Sequence, residues 1–183
     1  MELVLVRHGR TAANAARQIA GALDVPLDDV GRAQAAAARP VIGEVDAVYS
    51  SPLLRAVETA RLLVGEPVRV DAHRELHQGE LEGLPAEEAI RRYGHVFAAF
   101  AQDPVACRLP GGESLGECRD RAVAALRQIA AGDGRALIVT HQMVIASVSC
   151  TIAGEPLTRW REHAVANCGV VRVRVVGGRW ERL

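Results

Sequence analysis

The sequence is poor in aromatic residues and has no excess of charge of either sign. Phe, Trp and Tyr make up 3% of the 183 residues, and 22 basic side chains are matched by 22 acidic ones. Proteins that bind nucleic acid usually combine a basic surface with aromatic side chains on which bases stack. We therefore expect no nucleic-acid partner, and any strong charge must be local.

Long hydrophobic runs and paired cysteine motifs are also missing. No apolar stretch approaches the roughly 20 residues that span a bilayer, and the first residues show neither a basic leader nor a long apolar run. The four cysteines form no CxxC motif, which argues against a zinc ribbon or a redox-active pair. We expect a cytoplasmic protein with reduced thiols and no membrane partner. The sequence carries no signal for an oligomeric state.

The composition nevertheless provides enough apolar material for a folded domain. Hydrophobic residues account for 49% of the chain and charged residues for 24%, which excludes a mainly disordered protein. At this length, folding buries roughly 70% of the surface that the unfolded chain exposes. We expect a single domain over residues 1–183.

Short β-branched runs alternate with longer helical patterns. The strand candidates, which read as buried parallel strands, are residues 3–6, 47–49, 68–70 and 136–139. The helix candidates cover about 30–43, 52–64, 85–101, 114–131 and 142–153. Alternating valines over 171–175 followed by Gly177-Gly178 predict a C-terminal hairpin at the end of the sheet. This order favours an α/β domain with a largely parallel sheet.

Two of the predicted helices carry N-terminal capping signals. Ser51 precedes Pro52, so we expect Ser51 as the N-cap and Pro52 as the first helical residue. Ser114 and Glu117 have the spacing of a capping box. These signals support the predicted starts of both helices.

Residues that can do chemistry stand at or after the ends of the predicted strands. Arg7 and His8 follow the first strand, Arg55 comes shortly after the second, Glu75 after the third and His141 after the fourth. In an open parallel sheet, ligands bind beyond the carboxyl ends of the strands, where helix N-termini also point. One such residue is more often a solvated charge or a structural histidine. A set of them at equivalent positions indicates an active site.

This set of residues suits phosphoryl transfer. Arginine offers a planar fork of donors that matches phosphate oxygens, and it stays charged at any working pH. A neutral imidazole between two arginines is a competent nucleophile toward phosphorus, and a covalent intermediate divides one difficult displacement into two easier ones. The leaving alkoxide then needs a proton, and Glu75 is the only carboxylate of the set that could supply it.

Five motifs occur in order along nearly the whole chain. They are Arg7-His8-Gly9-Arg10-Thr11 with Asn14, Ser50-Ser51-Pro52-Leu53-Leu54-Arg55-Ala56 with Thr59-Ala60, Arg74-Glu75-Leu76 with Gly79 and Glu82-Gly83, Pro110-Gly111-Gly112-Glu113-Ser114, and Val139-Thr140-His141. An Arg-His-Gly tripeptide alone is common by chance, whereas the ordered set is highly specific. Together they resemble the signature of the histidine phosphatase superfamily, in its phosphoglycerate-mutase-like branch.

The resemblance implies a role for each catalytic candidate. His8 would be phosphorylated during turnover. Arg7, Arg55 and His141 would hold the phosphoryl oxygens, and Glu75 would be the proton donor. The family fold is a three-layer α/β/α sandwich, and the family needs no metal and no cofactor.

The resemblance also places residues around this centre. Thr11 and Asn14 stand where the family has helpers of the phosphate pocket, although plain helix capping explains Thr11 nearly as well. Residues 84–110 would form a helical cap over the site. Three arginines of this segment either take part in recognition or are solvated helix charges: Arg91, Arg92 and Arg108.

Four positions depart from the family pattern. They are Arg10, Ala20, Leu81 and Gln142, where the family usually has glutamate, glutamine, tryptophan and glycine, respectively. All four are expected near the mouth of the site, so we assign Arg10 and Gln142 to substrate binding. If Arg10 faces the cleft, the preferred substrate carries a second anionic or hydrogen-bond-accepting group besides the reacting phosphate.

Three functions remain open. The first is hydrolysis of a small phosphorylated metabolite. The second is a mutase, which is less favoured because only residues 84–110 separate the acid loop from the Gly-Gly-Glu-Ser turn, whereas the mutases of the family are longer. The third is a metal-dependent hydrolase, since His73, Glu75 and His77 would share one face of a strand. We predict the first, a metal-independent phosphatase acting through phosphohistidine.

Overall fold

A six-stranded sheet forms the centre of the computed structural model, which describes all residues, 1–183. The strands are β1 (Glu2–Arg7), β2 (Ala47–Ser50), β3 (Val68–Arg69), β4 (Arg135–Thr140), β5 (Val170–Val176) and β6 (Arg179–Arg182). Their order across the sheet is β3-β2-β4-β1-β5-β6. Strands β3, β2, β4 and β1 are parallel, and β5 is antiparallel to both β1 and β6. The predicted, mostly parallel sheet is confirmed.

The helices match the predicted ones closely. They are α1 (Ala12–Ala15), α2 (Asp29–Ile42), α3 (Leu54–Leu63), α4 (Ala86–Gln102), α5 (Leu115–Ala130) and α6 (Gln142–Ala153). Short 3-10 turns cover Asp71–His73, Gly79–Leu81 and Leu157–His163. Only the one-turn helix α1 was not predicted. Every helix is too short or too polar to cross a bilayer.

Alternation along the strands divides the core into two layers. In β1, Leu3 and Leu5 face one side of the sheet and Val4 and Val6 the other, because successive side chains of a strand point to opposite faces. The two leucines pack in a cluster with residues of α5 and α6, and the two valines pack with residues of α2 and α3. Each buried side chain of this size contributes about 1.5–3 kcal/mol. The fold is the predicted three-layer α/β/α sandwich.

Two expectations at the β3 side of the sheet were wrong. Helix α3 begins at Leu54 with Leu53 as its N-cap, and the Ser51 hydroxyl instead accepts a hydrogen bond from the Leu53 amide at 3.2 Å. Strand β3 is two residues long and lies at the edge of the sheet, where Val68 is 61% exposed. An apolar run has the same composition in an edge strand as in a buried one, so the sequence pattern could not separate them.

The predicted turn and capping box are confirmed. Gly177 and Gly178 join β5 to β6 with φ of 55° and 78°, and a two-residue hairpin turn with positive φ at both positions favours glycine. The Ser114 side chain accepts from the Glu117 amide, and the Glu117 side chain accepts from the Ser114 amide.

The register of the central strands determines where the site lies. Strands β1 and β4 pair in parallel with Arg7 opposite Thr140, so His8 and His141 leave the sheet side by side. The His8 amide continues the ladder by donating to the Thr140 carbonyl at 2.9 Å. Strand β2 ends at Ser50, on the other side of β4. The carboxyl ends of three strands therefore open at one edge of the sheet.

Candidate active site

His8 is buried at the end of β1 with one ring nitrogen available for chemistry. Its Nδ1 lies 2.7 Å from the Gly9 carbonyl oxygen, which can only accept, so Nδ1 carries the proton and Nε2 keeps its lone pair. Burial, reinforced by the Arg55 charge, lowers the pKa of His8 to about 3. The ring is neutral at ordinary pH. Gly9 is required for the close approach to α2, because a Cβ there would meet the Gly31 carbonyl at 2.6 Å.

Arg55 lies in the first turn of α3 and reaches the same nitrogen. Its Nε donates to His8 Nε2 at 3.2 Å. The two Nη atoms donate to the Leu23 and Gly21 carbonyls, each at 2.7 Å. These carbonyls hold the plane of the guanidinium, which is fully buried. The contact places a fixed positive charge next to His8 Nε2, whose lone pair accepts this hydrogen bond.

Arg7 supplies the second guanidinium of the site. Its Nη1 donates to Gln142 Oε1 at 3.0 Å and to the Val165 carbonyl at 2.8 Å. Its Nε is buried without a partner in the protein. Gln142, which the sequence assigned to substrate binding, thus contacts the Arg7 side chain, and it also accepts from the Val165 amide at 3.3 Å.

His141 lies against His8 and has no partner in the protein. It is the N-cap residue of α6, and its ring packs edge-on against the His8 ring with 5.1 Å between centroids. Both ring nitrogens are buried without a hydrogen bond. Burial and the Arg55 charge hold the pKa of His141 well below its usual value. Buried polar groups normally have partners, so these nitrogens are suited to a ligand.

Glu75 is the one carboxyl group at this centre. Its Oε1 accepts from the Leu76 amide at 2.9 Å and from the Met143 amide at 3.2 Å. Met143 lies in the first turn of α6, where amides lack intrahelical partners. Burial raises the pKa of Glu75, although these two amides and the charges of Arg55 and Arg7 oppose the shift. The environment therefore favours the protonated acid more than water does.

The arrangement is suited to an anion with several oxygens. The buried guanidinium of Arg55, the half-buried guanidinium of Arg7 and the unpartnered imidazole of His141 accompany the neutral ring of His8. The Nε2 lone pair of that ring accepts a hydrogen bond only from Arg55. The buried carboxyl group of Glu75, whose pKa is raised by burial, feels the charges of Arg55 and Arg7. Such a centre can bind a tetrahedral dianion, attack it and protonate a departing oxygen.

Thr11 and Asn14 form a capping box on α1. Helix capping was the alternative to a role of Thr11 in the phosphate pocket. Each side chain accepts from the backbone amide of the other at 3.2 Å. Asn14 Oδ1 also accepts from Asn167 Nδ2 at 3.3 Å, and the same Nδ2 donates to the His8 carbonyl at 3.0 Å. Asn14 is thus linked to the His8 backbone. Asn167 belongs to no motif, so no sequence pattern indicated it.

Arg10 points toward the start of α2 and pairs with an acid there. Its Nε donates to Asp28 Oδ2 at 2.8 Å, and Asp28 also caps α2 through the Gly31 amide. The structure does not bring the Arg10 guanidinium into contact with His8, Arg55 or Glu75. The charge of Arg10 is balanced locally.

The segment 84–110 contains α4, and its arginines are paired on the surface. Arg91 and Arg92 both lie close to Glu88 on the same helix, and Arg108 pairs with Glu117 of α5. Exposed pairs of this kind contribute little to stability. Their charges are compensated outside the His8 centre.

The residues of the metal alternative do not come together. His73 is completely buried, whereas the exposed His77 side chain lies 3.9 Å from Glu82. No group of three His, Cys, Asp or Glu side chains is placed to hold a metal ion. The segment is a 3-10 turn and loop, so alternate residues do not share a face as they would on a strand.

A pocket of about 320 Å³ adjoins Glu75. Its walls carry charges of both signs, and the lining residues besides Glu75 are Ala22, Asp71, Arg74, His77, Glu113 and Arg121. Arg121 and Glu113 lie within hydrogen-bonding distance of the loop that carries Glu75. The sequence did not single out Arg121, whose loop partners lie more than 40 positions away along the chain.

Comparison with known proteins gives matches over 80% or more of the chain. The profile of the histidine phosphatase superfamily (branch 1) matches residues 3–183. Phosphoglycerate mutase-like protein 4 of Arabidopsis thaliana is 38% identical over 160 residues, which cover 80% of this chain and 69% of the relative. Metal-independent phosphoserine phosphatase of the same plant is 37% identical over 159 residues, covering 80% of this chain and 66% of the relative. The structure of mycobacterial glucosyl-3-phosphoglycerate phosphatase aligns with a TM-score of 0.88 at 29% identity, over 100% of this chain and 96% of that one.

Proposed function

The chain belongs to the histidine phosphatase superfamily (branch 1) and is a phosphatase. From that premise we propose that it hydrolyses small phosphate monoesters through a phosphohistidine at His8, without a metal ion. The observation that carries the proposal is the neutral His8 ring, whose Nε2 lone pair lies 3.2 Å from Arg55 Nε.

The first half of the reaction transfers the phosphoryl group to the enzyme. The Nε2 lone pair of His8 attacks phosphorus while the bond between phosphorus and the ester oxygen breaks. The leaving oxygen takes a proton from Glu75, and burial of this carboxyl group raises its pKa toward the protonated form. The products of this step are the free alcohol, the Glu75 carboxylate and phosphorylated His8.

The second half returns the enzyme to its starting state. A water molecule attacks phosphorus, and Glu75 accepts the proton that the water loses. The bond between His8 Nε2 and phosphorus breaks, and inorganic phosphate leaves. The hydrogen bond from His8 Nδ1 to the Gly9 carbonyl keeps the ring in the required tautomer through both halves.

Arg7, Arg55 and His141 hold the phosphoryl oxygens in this account. The guanidinium planes are fixed by backbone carbonyls and by Gln142, so the donors do not need to reorganise during the reaction. The unpartnered N–H group of the His141 ring gains an acceptor when phosphate binds. Gln142 acts through Arg7, which replaces its sequence-based assignment to direct substrate contact.

The alcohol part of the substrate occupies the 320 Å³ pocket beside Glu75. Because the walls carry both signs of charge, a polar or zwitterionic leaving group suits it better than a purely anionic one. Arg10, which pairs with Asp28, supplies no free positive charge toward His8. The expected preference for a second anionic group therefore has no support from Arg10.

The test is an assay of inorganic phosphate release and of isomer formation on one set of substrates. Phosphoserine and glucosyl-3-phosphoglycerate are chosen because one relative and one structural neighbour are named as phosphatases of these compounds. The third substrate, 3-phosphoglycerate, is chosen because another relative is named as phosphoglycerate mutase-like. We expect phosphate release from at least one of them, resistance to chelators, and no activity in His8→Ala. Conversion of 3-phosphoglycerate to 2-phosphoglycerate without phosphate release would favour the mutase, and loss of activity on chelation would favour a metal enzyme.

A further inference from the structure

Arg121 of α5 donates to the loop that carries Glu75, to the Glu113 carboxylate and, at 3.4 Å, to Cys118 Sγ on its own helix. Nη1 donates to the Ala72 and Arg74 carbonyls at 2.7 and 2.8 Å, and Nη2 donates to the Glu75 carbonyl at 3.1 Å. Nε and Nη2 also donate to the two carboxylate oxygens of Glu113, at 3.1 and 2.6 Å. The five N–H groups of a guanidinium are thus all satisfied.

Glu113 binds the same loop two residues further on, at His77. Its Oε1 accepts from the His77 amide at 2.9 Å, and its own amide donates to the His77 carbonyl at 2.9 Å. The neighbouring Gly112 allows this approach, because a Cβ there would meet the His77 carbonyl at 2.3 Å. Arg121 and Glu113 together fix the backbone from residue 72 to residue 77.

The Glu75 side chain itself has weaker restraints. Its carboxyl group contacts two backbone amides, those of Leu76 and Met143, and it forms no hydrogen bond or ion pair with another side chain. The position of the carboxyl relative to His8 therefore depends on where the backbone of its own loop lies. A displacement of about 1 Å at a reacting group can cost on the order of 100-fold in rate.

We propose that Arg121 is a positioning residue for the acid Glu75: it holds the loop at residues 72–77 so that the carboxyl faces the leaving oxygen. The proposal rests on the proposed function, in which Glu75 protonates that oxygen. Arg121 touches no reacting atom. Lysine could not replace it, because a single ammonium has three donors at one point and cannot span three carbonyls and a carboxylate.

The experiment compares two leaving groups in Arg121→Gln and in Glu75→Gln. An alkyl phosphate needs a proton on its leaving oxygen, whereas an activated aryl phosphate does not. We expect Arg121→Gln to lose on the order of 10- to 100-fold in kcat on the alkyl ester and less than about 3-fold on the aryl ester. We also expect little further loss on the alkyl ester when Arg121→Gln is added to Glu75→Gln, because residues that act through one group are not additive.

The matched control is Arg127→Gln. Arg127 lies on the same helix, is exposed, and makes no ion pair or side-chain hydrogen bond, so both esters should be hydrolysed at the wild-type rate. If Arg121→Gln does not fold, Glu113→Gln takes its place, since it keeps the size of the side chain and removes the charge that holds Arg121. The same selective loss on the alkyl ester is expected.

Two failures can be told apart. Equal losses on both esters in Arg121→Gln or Glu113→Gln, or full additivity with Glu75→Gln, would overturn the positioning role. If Glu75→Gln itself loses activity equally on both esters, the acid assignment in the proposed function is wrong, whatever Arg121 does.

Discussion

Replacing His73 by leucine should make the protein less sensitive to acid. His73 is 0% exposed, and neither of its ring nitrogens has a hydrogen-bond partner. Burial, reinforced by the Arg121 charge, lowers the pKa of His73 to about 4. In the unfolded chain the same imidazole titrates near pH 6.5. The folded state therefore binds fewer protons than the unfolded state at mildly acidic pH.

The sign and size of the effect follow from this difference. A histidine whose pKa is lower in the folded state leaves stability intact above pH 6.5 and removes it as the pH falls toward the folded pKa. Between pH 7 and pH 5, His73 alone should lower the free energy of unfolding by about 2 kcal/mol. His8 and His141 act in the same direction, and the raised pKa of Glu75 opposes them.

Urea denaturation followed by circular dichroism, at pH 7 and at pH 5, provides the assay. The loss of unfolding free energy between the two pH values should be smaller in His73→Leu than in wild type by about 2 kcal/mol. Stability at pH 7 should also rise by about 1–3 kcal/mol, because an unsatisfied buried polar group is removed. The control is His95→Gln, on the exposed side of α4, which should leave the difference unchanged. An equal acid-induced loss in His73→Leu and wild type would show that His73 does not contribute to acid sensitivity.

Two further predictions concern the arginines at His8. Arg55→Lys keeps the charge but loses the planar guanidinium that contacts His8, Leu23 and Gly21. Turnover should therefore fall by about 100- to 1,000-fold. Near-wild-type turnover would limit Arg55 to attracting the substrate. Gln142→Ala removes one of the two acceptors of Arg7 Nη1, so kcat should fall by roughly 10-fold with a smaller change in KM. Steady-state kinetics measures both constants, and an unchanged kcat would show that Val165 alone holds Arg7.

Local patterns predicted most of the fold. The apolar runs of β1 and β4 and the helical periods of α2 to α6 are properties of neighbouring residues, and they lie where the sequence placed them within two positions. Strand β3 is exposed because it is the last strand at its side of the sheet and no further strand pairs with it. Likewise, the start of α3 depends on how the turn at Ser51 is folded, and this turn displaced the expected cap.

The candidate site shows the same limit at longer range. Arg7, His8 and His141 could be placed together because the ends of neighbouring parallel strands must meet. The partner of Gln142 lies 135 positions away, and Arg121 lies 46 to 49 positions from the carbonyls it binds. Such contacts arise only when the helices dock on the sheet, so no spacing in the sequence indicated them.

The most direct test of the account is a rapid-quench search for phosphate bound to the enzyme during turnover of a labelled monoester. We predict a phosphoryl group on His8 that is stable in alkali and labile in acid, as a phosphoramidate is. It should form at least as fast as product and be absent from His8→Ala. Phosphate attached to another residue, or labelling that persists in His8→Ala, would contradict the assignment of His8 as the nucleophile.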